Sequence, residues 1–119
     1  MKAILHSTWL LDDYSDAASY MSANPSDDGL WVRMMIGSDD GPGEESFDIL
    51  VCTPAWLSSQ VRADGPQLGR HHLVVDSLAI GTVIDFLRQE VESIEGETWD
   101  EVGNKLSRLG RWEFEDYRA

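Results

Sequence analysis

The strongest constraint on the fold lies between residues 80 and 94. Ile80, Ile84, Leu87, Val91 and Ile94 recur at steps of four, three, four and three. That spacing lays apolar side chains along one stripe of an α-helix, so this segment must pack one face against something apolar. Upstream the period is two. In "KAILHSTWLL", Ile4, His6, Thr8 and Leu10 alternate with Ala3, Leu5, Ser7 and Trp9. Both sets contain apolar residues, which predicts a first strand inside a sheet rather than at its edge. In "LWVRMMIG", Leu30, Val32, Met34 and Ile36 oppose Trp31, Arg33 and Met35, and in "SFDILVCT" Phe47, Ile49 and Val51 form the core side. The intervening "SDDGPGEE" is a loop rich in Gly and carboxylates, so the two strands make a hairpin.

Punctuation completes the order. "DDYSDAASYMSANPSDDG" has turn chemistry at Asn24-Pro25 and Asp28-Gly29 and reads as a surface loop with at most one helical turn. Thr53 as N-cap and Pro54 at the first helical position open a short helix that carries Trp56 and Leu57 inward. "RHHLVVD" is a fourth strand. Gly96 closes the helix that carries the stripe. Thr98 with Glu101 forms a capping box for a last helix bearing Trp99, Val102, Leu106 and Leu109, and Gly110 stands as its C-terminal cap. "RWEFEDY" returns to period two, with Trp112 and Phe114 on one face. The expectation is an α+β fold over residues 1–119 as one domain. It has a mostly antiparallel sheet of about five strands, with two C-terminal helices and one short helix packed on one face.

Charge narrows the function. Twenty-two Asp and Glu oppose nine Lys and Arg, a net charge of −13. Such a chain repels nucleic acid and anionic membrane, and it suits a cationic protein. A single cysteine excludes an intrachain disulfide and fits a reducing compartment. The start is too short and too polar for a secretory signal, so a soluble, cytoplasmic protein is expected.

Catalytic chemistry finds little support. Cys52 lacks a Cys-His signature and reads as a small buried hydrophobe. His71 and His72 are neighbours on the expected strand and so face opposite ways, which suits neither a shared metal nor a zinc site. "GSDDGPG" places carboxylates where a phosphate cradle would need donors, and its acids lack the ligand order of a calcium loop. No cofactor is implied. Trp56 and Trp99 belong on helix stripes. Trp9 and Trp31 sit on strands apolar on both sides, and an exposed Trp beside carboxylates would make a protein anchor.

Three segments resemble a known family. They are "ESFDILVCTPAWL" (44–56), "GRHHLVVD" (69–76) and "GETWDEVGNKLSRLGRWEFEDY" (96–117), of which the Trp-Glu-Phe-Glu-Asp-Tyr ending is the most specific. Together they are similar to the immunity protein 8 family of bacterial polymorphic toxin systems. The resemblance implies a non-enzymatic antidote that binds and neutralises a cognate toxin C-terminal domain. Many such toxins are nucleases, whose phosphate-binding clefts are basic. The acidic loops are then the expected partner-binding residues: Asp12, Asp13, Asp27, Asp28, Asp39, Asp40, Glu44 and Glu45. Two other readings stand beside this one: an acidic adaptor or assembly protein without a toxin, and a small hydrolase using His71 or His72.

Overall fold

The structure, a computed structural model, describes residues 1–115. Five strands form one sheet: β1 (Ala3–Leu10), β2 (Gly29–Ser38), β3 (Glu45–Cys52), β4 (His72–Val74) and β5 (Arg111–Trp112). Three α-helices accompany it: α1 (Pro54–Asp64), α2 (Ile80–Glu92) and α3 (Trp99–Leu106). The strand order is β1-β2-β3-β4. β1, β2 and β3 are antiparallel neighbours, whereas β4 runs parallel to β3. β5 pairs antiparallel with the same edge of β3 at Phe47 and Asp48, leaving Leu50 to Cys52 for β4. This is the α+β architecture that the period change implies.

β1 lies at the sheet edge, not inside it. The register slips between Leu5 and Ser7, so His6 is an extra, bulged residue. A bulge swaps the faces of everything after it. Ala3 and Leu5 point to the core before His6, and Thr8 after it. The apolar residues on both alternating sets therefore reflect one phase slip. The free edge of β1 is partly closed by Ile94 O, which accepts from Ala3 N at 3.0 Å, by the Glu92 carboxylate, which accepts from Leu5 N at 3.2 Å, and by Ser15 O, which accepts from Leu10 N at 2.9 Å. Such closure protects an edge from pairing with foreign strands.

The core sits on one face of this sheet. Val32, Met34, Ile36, Phe47, Ile49 and Val51 supply the sheet side, and Val83, Leu87, Val91, Val102 and Leu106 the helical side. The centre of the α2 stripe is Val83, Leu87 and Val91, flanked by half-buried Ile80, Ile84 and Ile94. The helix stops at Glu92 with Ser93 as its cap, three residues before Gly96. α3 starts as its sequence predicts: Thr98 Oγ1 accepts from Glu101 N at 3.1 Å. The Glu101 carboxylate returns to Glu97 N at 3.0 Å. Its other end differs from expectation, because Ser107 is the C-cap. Gly110 has another task. A Cβ there would lie 3.0 Å from Met34 Cε and 3.2 Å from Asp48 O, so glycine gives this segment room to press onto β3 and begin β5.

α1 stands apart from the other helices. Thr53 and Pro54 start it as predicted, but none of its residues is buried and none joins the core. Trp56 instead covers Gly29, where a Cβ would fall 2.3 Å from the indole. Gly29 pairs with Cys52, one step out of phase with core-facing Leu30 and Val51. α1 therefore covers one end of the opposite face of the sheet, and among the described residues no helix covers the rest of that face.

Candidate functional site

The eight loop carboxylates fall into two groups. Asp12, Asp13, Asp27 and Asp28 belong to the connection between β1 and β2, and Asp39, Asp40, Glu44 and Glu45 to the β2–β3 hairpin. β1 and β2 are antiparallel, so these connections occupy opposite ends of the sheet. The ten residues of β2 span about 30 Å at strand rise. The eight residues are thus not one patch.

Within each group the carboxylates differ in what holds them. Asp28 is part of the frame. Its Oδ2 accepts from the Tyr20 hydroxyl and from Ser22 Oγ at 2.6 Å, and its Oδ1 from Gly29 N at 2.8 Å. Its main chain is bound as well, with Asp28 N donating to Thr53 Oγ1 at 3.1 Å and Asp28 O accepting from Thr53 N at 2.9 Å. Burial, followed by the bond to Asp28, pushes the Tyr20 hydroxyl up to about 12. Asp13 Oδ1 accepts from Ser15 Oγ at 2.7 Å and Ser15 N at 3.0 Å, and these bonds hold its carboxyl below the usual range. The exposed carboxylates of Asp12 and Asp27 have no hydrogen-bond partner among the described residues.

At the hairpin end, Asp39 Oδ1 accepts from Lys2 N at 2.7 Å, which lowers its pKa. Glu44 meets His6 Nδ1 at 2.7 Å, so the bulged histidine braces the hairpin. Glu45 accepts the indole N–H of Trp99 and ties the start of α3 to β3. A groove of about 350 Å³ lies between the hairpin and Trp99. Trp99 thus packs at the margin of the core, as its helical position implies.

The residues closest to catalytic parts have structural partners. His71 precedes β4 instead of lying on it, in the left-handed region at φ 64°. Its Nε2 meets Ser107 O at 2.9 Å, and a carbonyl can only accept, so that nitrogen donates. By the same reasoning His72 Nδ1 donates to Arg70 O at 2.8 Å, leaving Nε2 to accept from Gln67 at 3.1 Å. Cys52 is buried, and burial pushes its thiol up, away from the nucleophilic thiolate. Among the described residues no group of three or more His, Cys, Asp or Glu is placed to hold a metal.

The helix-free face of the sheet presents a different surface. Trp9 is 37% exposed and Trp31 40%. Both flank Arg33, Trp9 across the β1–β2 pair and Trp31 two residues along β2. Arg33 is held by Asp48 on β3 in a two-pronged pair, Nε to Oδ1 at 2.9 Å and Nη2 to Oδ2 at 3.0 Å. Tyr14, 66% exposed, lies near enough to Arg33 to help raise its pKa, after the dominant bond to Asp48. Sequence reasoning singled out the two Trp but not Tyr14, which sits at φ 56° in the turn that follows β1. The Arg33–Asp48 pair was readable in principle, since facing hairpin strands put opposite charges at outward positions.

The family model for immunity protein 8 matches residues 4–117, nearly the whole chain. The chain belongs to the immunity protein 8 family. No curated protein and no solved structure matches it. An immunity protein has a toxin as partner, and its task calls for a binding surface. The described part of the "WEFEDY" ending is tied into the fold. Trp112 is 6% exposed and stacks on Phe47 at 5.8 Å between ring centroids, with Phe114 edge-on to it at 6.3 Å. Glu113 Oε1 accepts from Ser46 N at 2.8 Å, and Glu115 pairs with Arg70. Asp116 and Tyr117 lie outside the described residues. For this immunity protein no described helix is long and apolar enough to cross a membrane.

Proposed function

We propose that this immunity protein neutralises its cognate toxin by binding the toxic domain directly and covering its working surface. The toxin is basic, and a nuclease is the class that fits. The observation that carries this reading is the charge: a member of an immunity-protein family with a net charge of −13. A nuclease must attract phosphate, so its cleft attracts this chain by the same field. The site of action is the cytoplasm of the producing cell. The spread of carboxylates to both ends of the sheet supports a steering role, in which Asp12, Asp27, Asp40 and Glu44 add to a long-range field and fasten nothing by themselves.

The test is binding to the toxin domain encoded beside this chain. A stable one-to-one complex at low salt is expected, together with protection of cells exposed to that toxin. Absence of binding at low salt would sink the antidote reading. Replacing both His71 and His72 by Ala should leave protection intact. Lost protection in a correctly folded variant would favour a hydrolase instead.

A further inference from the structure

Trp9 and Trp31 stand exposed on the face of the sheet that α2 and α3 leave bare, with Tyr14 exposed in the turn that follows β1. Large aromatics cost solubility, and a fold that needed only a polar outer face would put Thr, Lys or Glu there. Their surroundings are specific. Arg33, between the two indoles, is held by its two-pronged bond to Asp48, and exposed Arg111 faces the same Asp48 across the β3–β5 pair with Glu113 beside it, so the indoles border a strip in which two arginines are matched by two carboxylates. The chain around this strip carries a net charge of −13. Exposed indoles on a chain of that charge complement one chemistry best: a protein surface carrying Arg or Lys, whose cations lie over indole faces while the field of the whole chain attracts the rest of that surface.

We propose that the helix-free face around Trp9 and Trp31 is the surface on which this immunity protein seats its basic toxin. This rests on the antidote reading and adds to it where the contact lies. The aromatics anchor the bound state, whereas the carboxylates at the two ends set the rate of encounter. Anchors act mainly on dissociation and remote charges on association, so kinetics separates the two.

The experiment compares association and dissociation of the full chain with the neighbouring toxin domain. Trp9→Ala and Trp31→Ala should each weaken binding by about tenfold to a hundredfold, almost wholly through faster dissociation. The pair Asp40→Lys and Glu44→Lys should instead slow association at low salt and leave dissociation unchanged. Hydroxyl-radical footprinting of the unmutated complex guards against misfolded variants: oxidation of Trp9 and Trp31 should drop on binding. Wild-type affinity in both Trp variants, or unchanged oxidation in the complex, overturns this face while leaving the antidote reading in place. Failure of the unmutated chain to bind removes that reading and this one with it. Protection of Trp9 and Trp31 by the chain alone at high concentration would assign the face to a second copy, which also overturns the proposal.

Discussion

The two faces of the β1–β2–β3 sheet are built from the same strands and differ in almost every other respect. One carries Val32, Met34, Ile36, Phe47, Ile49 and Val51, each at most 3% exposed, beneath α2 and α3. The other carries Trp31, Arg33 and Met35 opposite Leu50, Asp48 and Ser46, covered only at one end by α1. The inner face gains stability from burial, roughly 25 cal/mol for each Å² of apolar surface removed from water. The outer face keeps large aromatics where water can reach them, and this costs the folded chain part of that gain. The comparison teaches that rings of one type do two jobs here. Trp112 fastens the fold, while Trp9 and Trp31 are available to a partner.

The sharpest way to break that contrast is to remove a ring from each face. On the inner side Trp112 stacks on Phe47 and covers Gly103, where a Cβ would fall 2.6 Å from the indole. Trp112→Ala should destabilise the protein by about 3–5 kcal/mol, because it leaves a cavity between α3 and the sheet. Trp31→Ala on the outer side should cost about 1 kcal/mol or less. Urea denaturation of both variants measures the difference. Equal losses would mean that the outer rings are part of the core after all.

A second contrast lies within one acidic stretch, between Asp27 and Asp28. They are adjacent, identical in type and equally plausible from sequence as partner contacts. Asp28 gathers Tyr20, Ser22 and Gly29 onto its carboxylate, whereas Asp27 offers its side chain to solvent. Asp28→Ala should cost about 2 kcal/mol, since it leaves a half-buried hydroxyl and a main-chain N–H without their acceptor. Asp27→Ala should stay within about 0.5 kcal/mol of wild type. Thermal melts decide this. If Asp27→Ala proves the more damaging, the latch is misassigned.

These contrasts mark where sequence reasoning succeeds. Periodicity locates most strands and the helices α2 and α3, because burial of one face imposes it directly; the expected final strand over "RWEFEDY" is shorter, pairing only at Arg111–Trp112 before residues 113–115 turn. Thr53 and Thr98 mark helix starts through bonds made within three residues, and Pro54 through its fixed φ. Long-range placement was not readable. The bulge at His6 shifts the phase of β1 without any Gly or Pro to announce it. The choice of face for α1 depends on the bare Gly29 under Trp56, a contact between residues far apart in sequence. The acidic loops were legible as charge but not as geometry. Nothing local says that Asp28 turns inward, or that Asp12 and Asp40 lie at opposite ends of β2. Gly110 shows the same limit: it sits at cap spacing after α3, yet its close approach is to the backbone of β3.

The smallest expected effect belongs to the ends of the sheet, where pH distinguishes rim from faces. Main-chain bonds lead in lowering Asp39 and Glu101, from Lys2 N and Glu97 N respectively, while the Ser15 hydroxyl leads at Asp13, with Ser15 N next. A carboxyl lowered in the folded state contributes stability that is present above its unfolded pKa, about 4. That contribution is lost as pH falls through the folded value. These three groups are exposed, so the loss should be local and small. Between about pH 5 and about pH 3, protection of the Lys2, Ser15 and Glu97 amides should fall before that of amides in the centre of β2 and β3. Asp39→Asn should remove the pH dependence at Lys2 and leave Ser15 as it was. Hydrogen exchange corrected for intrinsic rates reads both. Simultaneous loss at the rim and in the centre of β2 would show that acid unfolds the molecule as a whole, and that the carboxylates at its ends do not act as independent caps.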